Sequence, residues 1–191
     1  MKHQLKAKLI LMILVTTILS GCRDEIEVFQ IERIPTFSFS NDNLTTQYAE
    51  QVNLYRGKTV VHYYDDGSSE VLNRTLITAK GINTAGNSFT VNIEFDLYDD
   101  GDLIGIYRPG YQKSVGGIYS FNYVEKEGNT YKSYDLDPSG LADDFIRIER
   151  QNMEEKLVLG DFFGKLQRDV NPEEKLTFFQ GTFKDLVYVL Q

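Results

Sequence analysis

Phe89-Thr90-Val91-Asn92-Ile93-Glu94-Phe95-Asp96-Leu97-Tyr98 is the stretch that decides the fold. Phe89, Val91, Ile93, Phe95 and Leu97 alternate with Thr90, Asn92, Glu94 and Asp96. Successive side chains of a strand point to opposite faces, so this period of two predicts a strand with one face in a core and the other in water.

The flanks extend the pattern. Asp99-Asp100-Gly101 follows at once and separates the stretch from Leu103–Tyr107. Upstream, Thr59–Tyr64 and Glu70–Ala79 are joined by Asp65-Asp66-Gly67-Ser68. Asp-Gly between such runs predicts a hairpin, because glycine accepts the positive φ of the turn. Tyr64-Asp65-Asp66-Gly67 and Tyr98-Asp99-Asp100-Gly101 are the same tetrapeptide, but their flanks do not repeat, so they read as independent turns rather than as a solenoid. Gly116–Val124 sets Ile118, Ser120 and Asn122 against Tyr119, Phe121 and Tyr123, and Glu127-Gly128-Asn129 turns it into Tyr131–Leu136. A polar loop, 137–144, precedes Phe145–Ile148. A final hairpin runs over Leu157–Leu166, turns at Asp169–Glu174 with Pro172, and returns over Leu176–Leu190. Leu44–Leu54 reads as a short helix or an irregular crossing. About nine to ten strands with regular turns, and no convincing 3.6-residue period, predict an all-β fold: an antiparallel sandwich or barrel. The pattern does not separate the two.

Composition narrows the function. The chain of 191 residues has one cysteine, two histidines and no tryptophan. One thiol cannot form an internal disulfide, and Cys/His zinc sites lack their ligands. With 20 basic and 28 acidic residues there is no sustained basic surface for nucleic acid.

Residues 1–22 read as an address. Lys2, Lys6 and Lys8 precede an apolar run of 11 residues, Leu9–Leu19, and Leu19-Ser20-Gly21-Cys22 closes it. A permanent span needs about 20 apolar residues, so the run suits a secretory h-region. The segment resembles the bacterial lipoprotein signal, whose lipobox is a leucine, two small residues and a cysteine. That resemblance implies cleavage before Cys22 and acylation of its sulfur and amine, leaving a domain anchored to a membrane without spanning it. Arg23-Asp24-Glu25 resembles the surface-export tag of Bacteroidota lipoproteins, and reads equally as a charged tether. No Asp follows the cysteine directly, which favours the outer membrane, with the domain periplasmic or surface-exposed. The expected organisation is a signal over 1–21, a lipidated tether over 22–32, and one β-domain over 33–191. Without its leader the chain carries 17 basic and 28 acidic residues, a net of −11. Gly160-Asp161-Phe162 and Gly181-Thr182-Phe183 sit on the two arms of the last hairpin. Glycines there let an aromatic neighbour pack across the facing strand. Such arms closing a lipidated β-domain resemble small all-β lipoproteins of Bacteroidota. The resemblance covers the lipobox and residues 145–190, and it transfers no catalytic residue.

Candidate sites are few. Asp135, Asp137 and Ser139 stand at alternate loop positions before Gly140, as in a calcium loop, with Asp143 and Asp144 as further oxygens. Position 12 would be Ile146, which cannot ligate, so the default is an acidic turn and no metal or cofactor is expected. His62 is the only histidine after the leader, and no Gly-x-Ser-x-Gly elbow accompanies it. No Walker or dinucleotide glycine pattern occurs either. Tyr107, Tyr111, Tyr119, Tyr123, Tyr131 and Tyr134 cluster within 28 residues, beside a loop opening at Arg108-Pro109-Gly110-Tyr111. Tyrosine joins an apolar ring to a polar tip and suits protein or sugar surfaces, so Arg108, Tyr111, Tyr119 and Tyr123 mark the expected binding surface. The reading is a non-catalytic binding or interaction module of the cell envelope, its partner an envelope protein or glycan. The rivals are a lipocalin-like carrier of a small apolar ligand and an envelope glycan hydrolase working through paired carboxylates.

Overall fold

The period-two pattern at Phe89–Leu97 buries all five of its apolar side chains, at 3% exposure or less. The computed structural model describes residues 34–42, 45–98, 103–137 and 143–190. The leader, Cys22, the tether, the Asp99-Asp100-Gly101 turn and Ser139 lie outside the described residues.

Among the described residues eleven strands follow in chain order: β1 (Thr36–Ser40), β2 (Thr46–Tyr48), β3 (Gln51–Tyr63), β4 (Ser69–Ile82), β5 (Ser88–Tyr98), β6 (Gly105–Tyr107), β7 (Gly116–Glu127), β8 (Thr130–Leu136), β9 (Phe145–Asn152), β10 (Leu157–Arg168) and β11 (Asn171–Leu190). The fold is all-β, one strongly curled and almost wholly antiparallel sheet. Its order is β2-β1-β11-β3-β4-β5-β7-β8-β10-β9-β6, with a further β10–β11 pairing. That pairing gives the sheet two facing halves. One half runs β2-β1-β11-β10-β9-β6, the other β3-β4-β5-β7-β8. They join through two three-residue ladders, a parallel one between β3 and β11 and an antiparallel one between β8 and β10. The fold thus combines the face-to-face layers of a sandwich with the continuous hydrogen bonding of a barrel.

Rings fill the space between the halves. Phe39 stacks on Phe179 at 4.8 Å and meets Phe89 edge-on at 5.0 Å; Phe121 meets Phe162 at 5.6 Å and Phe179 at 5.5 Å. Phe37 stacks on Phe162 at 5.1 Å. Offset and edge-to-face contacts of this kind are the favoured aromatic geometries.

The first Asp-Gly hairpin forms as its residues require. The Tyr64 amide donates to the Ser68 carbonyl at 2.9 Å, and Gly67 takes φ 81°. The expected second hairpin does not form. Over β5's length its other edge pairs with β7, from Ser88↔Lys126 to Leu97↔Gly116, and β6 crosses instead to β9. Burying Tyr107 draws β6 away: its ring packs 4.9 Å from Phe95 and its hydroxyl donates to the Leu103 carbonyl at 2.8 Å. Within Leu44–Leu54, of which Leu44 lies outside the described residues, the chain forms β2 and the start of β3 rather than a helix. The last turn is tighter than expected. β10 and β11 pair up to Arg168↔Asn171, and a register shift there takes Pro172 into β11.

Candidate functional site

A tertiary strap, residues 108–115, organises the surface on which the candidate tyrosines lie. It leaves β6, folds over the outward face of β4 and β5, and re-enters the sheet as β7. Ile118 donates to the Arg108 carbonyl at 2.9 Å, Gln112 and Gly116 exchange amide–carbonyl bonds at 3.0 and 2.9 Å, and Tyr98 donates to the Val115 carbonyl at 3.2 Å. Gly110, Ser114 and Gly116 take positive φ.

Beneath the strap lies Asp96, at 1% exposure although it faces outward from β5. Its cross-strand neighbour Arg74 holds it through two bonds, Nε to Oδ1 at 2.7 Å and a terminal nitrogen to Oδ2 at 2.8 Å. The Tyr111 hydroxyl donates to Oδ2 at 2.5 Å. Three donors satisfy a carboxylate whose burial would otherwise be costly. Burial, reinforced by Asp96, pushes the Tyr111 hydroxyl well above its usual value, so it stays a donor. The Arg74 guanidinium also lies 3.5 Å from the centroid of the Tyr119 ring, which remains 56% exposed. A cation over an aromatic face is attracted by the ring quadrupole.

The strap also clamps a projecting arm. β4 pairs with β5 only as far as Leu72↔Tyr98, while β3 and β4 pair on to Tyr63↔Ser69. The tip therefore stands as a two-stranded hairpin, marginal by itself in water. On the arm's covered face Tyr111 stacks on His62 at 3.9 Å and 13°, and His62 meets Tyr64 edge-on at 4.7 Å. Glu70 accepts from the Tyr64 hydroxyl at 2.7 Å and from the Ser114 amide at 2.9 Å, and Lys113 reaches Asp66 at 2.5 Å. The Ser114 amide holds the Glu70 carboxyl below its usual range, and burial raises the Tyr64 hydroxyl to about 12. The arm's other face shows Val61, Tyr63 and Val71 to solvent, at 52, 74 and 59% exposure, with Val61 directly opposite Val71.

The four residues of the expected surface do not stay together. Tyr111 and Tyr119 converge on Arg74 and Asp96. Tyr123 is in the core at 2% exposure, 5.1 Å from Phe179 and 5.7 Å from Phe39. A register shift at Glu94/Phe95, where Ser120 pairs with Glu94 and Ile118 with Phe95, leaves Tyr119 unpaired and reverses the alternation. Arg108 is exposed, and its charge helps lower the carboxyl of Asp143. Arg74, Asp96, His62 and Glu70 escaped the sequence reading as site residues. The Arg74–Asp96 opposition becomes visible only once the β4–β5 register is known.

The acids of the expected calcium loop each have partners of their own. Asn122 donates to Asp135 at 2.8 Å, Lys175 reaches Asp137 at 2.5 Å, and Lys165 reaches Asp143 at 2.9 Å. Among the described residues no three His, Cys, Asp or Glu side chains converge as metal ligands. Asp144, fully buried, accepts from the Lys165 amide at 3.0 Å through Oδ1, while its Oδ2 has no partner; burial pushes its carboxyl up to about 6. No family model, curated protein or solved structure matches this chain.

Proposed function

We propose that this chain is a lipid-anchored cell-envelope protein whose β-domain is a non-catalytic binding module. The braced arm carries the reading. A hairpin that would be marginal alone is held rigid by the Tyr111–His62 stack and the Glu70 and Asp66 contacts, and the face it is held by is opposite the face bearing Val61, Tyr63 and Val71. Pre-ordering an exposed apolar surface lowers the entropy lost when a partner covers it. Exposed Tyr119, steadied by Arg74, adds an amphipathic ring of the kind interfaces favour. The interior rings give no support to the carrier reading, since side chains occupy the space an apolar ligand would need.

Two experiments test the two halves of the proposal. Metabolic labelling with an alkyne fatty acid should tag the protein and pellet it with membranes, and Cys22→Ser should abolish both; an unlabelled native protein refutes the anchor. Affinity capture from envelope extract should recover a partner that Val61→Asp or Tyr63→Ser releases without shifting the urea midpoint. A partner retained by both variants, or none at modest salt, refutes the arm as the binding surface.

A further inference from the structure

Away from the arm, the outward face of the other sheet half carries a groove of about 350 Å³. Its floor is set by register. One row across β1, β11 and β10 reads Ser38, Thr182, Asp161, and continues on β9 to Arg147, which stands beside the groove rather than in its lining. The adjacent row on the same strands reads Ser40, Gln180, Phe163, Phe145. With about 4.8 Å between neighbouring strands, each row is about 14 Å long.

The chemistry is uneven along the rows. At the β9–β10 end, Phe145 and Phe163 lie nearly parallel, at 26° with centroids 6.4 Å apart, and both are half-exposed. They face outward while Phe162, between Asp161 and Phe163, faces the core. At the β1–β11 end the lining is hydroxyls and an amide. Ser38 and Thr182 share a hydrogen bond at 3.3 Å, as do Ser40 and Thr46, and Gln180 stands exposed beside them. Such groups both donate and accept. The one strong charge pair is neutralised internally. Arg147 holds Asp161 through bonds of 2.6 and 2.8 Å and lies 3.1 Å from Glu149.

An apolar floor, a line of donor–acceptor groups and no uncompensated positive charge together match a ligand with apolar C–H faces and many neutral hydroxyls. An anion would meet an acidic domain without a free cation in the groove, and a protein partner's apolar core would leave the hydroxyl end unpaired. We infer that the Ser38–Asp161 and Ser40–Phe145 rows form a binding site for a neutral oligosaccharide, its sugar faces on Phe145 and Phe163 and its hydroxyls on Gln180 and the Ser/Thr row. This rests on reading the domain as a binding module and adds a ligand class and a second surface to it.

Affinity electrophoresis tests it on the mature protein, in native gels containing soluble glucan, mannan, xylan or polygalacturonate. At least one neutral polymer should retard migration, and Gln180→Ala and Phe163→Ala should each weaken the retardation at least tenfold. Gln180 is exposed, so its variant reports on binding even if Phe163→Ala loses the fold. No retardation by any neutral polymer, undiminished retardation of Gln180→Ala, or equal retardation by polygalacturonate overturns the inference. Val61→Asp should migrate like the parent in these gels. Partner release by Val61→Asp without sugar retardation refutes the groove alone, and retardation without such a partner refutes the arm alone.

Discussion

Phe162 stands directly opposite Gly181 on the β10–β11 ladder, and its ring fills the place where a β-carbon on Gly181 would lie, with Cζ 2.5 Å from that point. Phe183 stands opposite Gly160 in the same way, at 2.6 Å. The two pairs are reciprocal, each strand lending a ring to the other's glycine. A Cβ at Gly160 would also come 2.0 Å from the Arg147 carbonyl, which is backbone of β9 and cannot step aside. Gly160→Ala is therefore expected to cost about 1–3 kcal/mol or more, as overpacking does, and Gly181→Ala a similar amount. Urea midpoints measure both. Gly86→Ala, where φ is positive but nothing lies within 4 Å, should cost only about 1 kcal/mol. At Gly181 the Ser38 carbonyl is nearer than the ring, at 2.1 Å, so equal losses at all three glycines would show that crowding by ring and backbone is not the cause.

The Arg74–Asp96 pair should behave as a buried pair that fails when one partner goes. Arg74→Ala leaves Asp96, at 1% exposure, with only Tyr111 as donor and is expected to cost about 3–5 kcal/mol. Tyr111→Phe removes one hydrogen bond and should cost about 1 kcal/mol while making the 108–115 strap more susceptible to protease. Lys113→Ala, at an exposed ion pair, should leave the urea midpoint unchanged.

Asp144 gives the domain a pH dependence of definite sign. Its folded carboxyl titrates near 6 against an ordinary 3.8, so the folded state binds more protons over that interval. Stability should decline as pH rises from about 4 to about 6, with the full penalty, roughly 3 kcal/mol, present above that range. Asp144→Asn keeps an acceptor for the Lys165 amide and removes the charge. It should match the parent near pH 4 and exceed it in urea denaturation at pH 7.5. A parent curve with no decline between pH 4 and 6, or a variant weaker at pH 7.5, would contradict this.

Phe179 touches rings from both sheet halves. Phe179→Ala should lose about 3–5 kcal/mol. If the variant folds, its cavity should take up small apolar dyes that the parent excludes. Dye uptake by the parent itself would revive the carrier reading.

Much of this architecture could be read locally, and the exceptions share a cause. Phe89–Leu97, the Asp65-Asp66-Gly67 turn and the Glu127-Gly128-Asn129 turn each carry their signal within a dozen residues, and each forms as read. Where the partner decides, the sequence is silent. β6 resembles any short strand until Tyr107 finds Phe95. Tyr119 and Tyr123 have the same parity along β7, yet a bulge against β5 separates them, one to water and one to the core. The site suffers most from this. Its central pair, Arg74 and Asp96, looks like two ordinary solvent-facing charges until the strap closes over them.

β11 has consequences for the order of assembly. It pairs with β1, β3 and β10, and its contact with β1 at Ser38–Thr182 spans 144 positions of chain. Such long-range closure belongs to high contact order and slow folding. During synthesis from the N-terminal end, β1 and β3 must wait for their partner with unpaired backbone groups at their edges. That nascent form would be the one most exposed to aggregation.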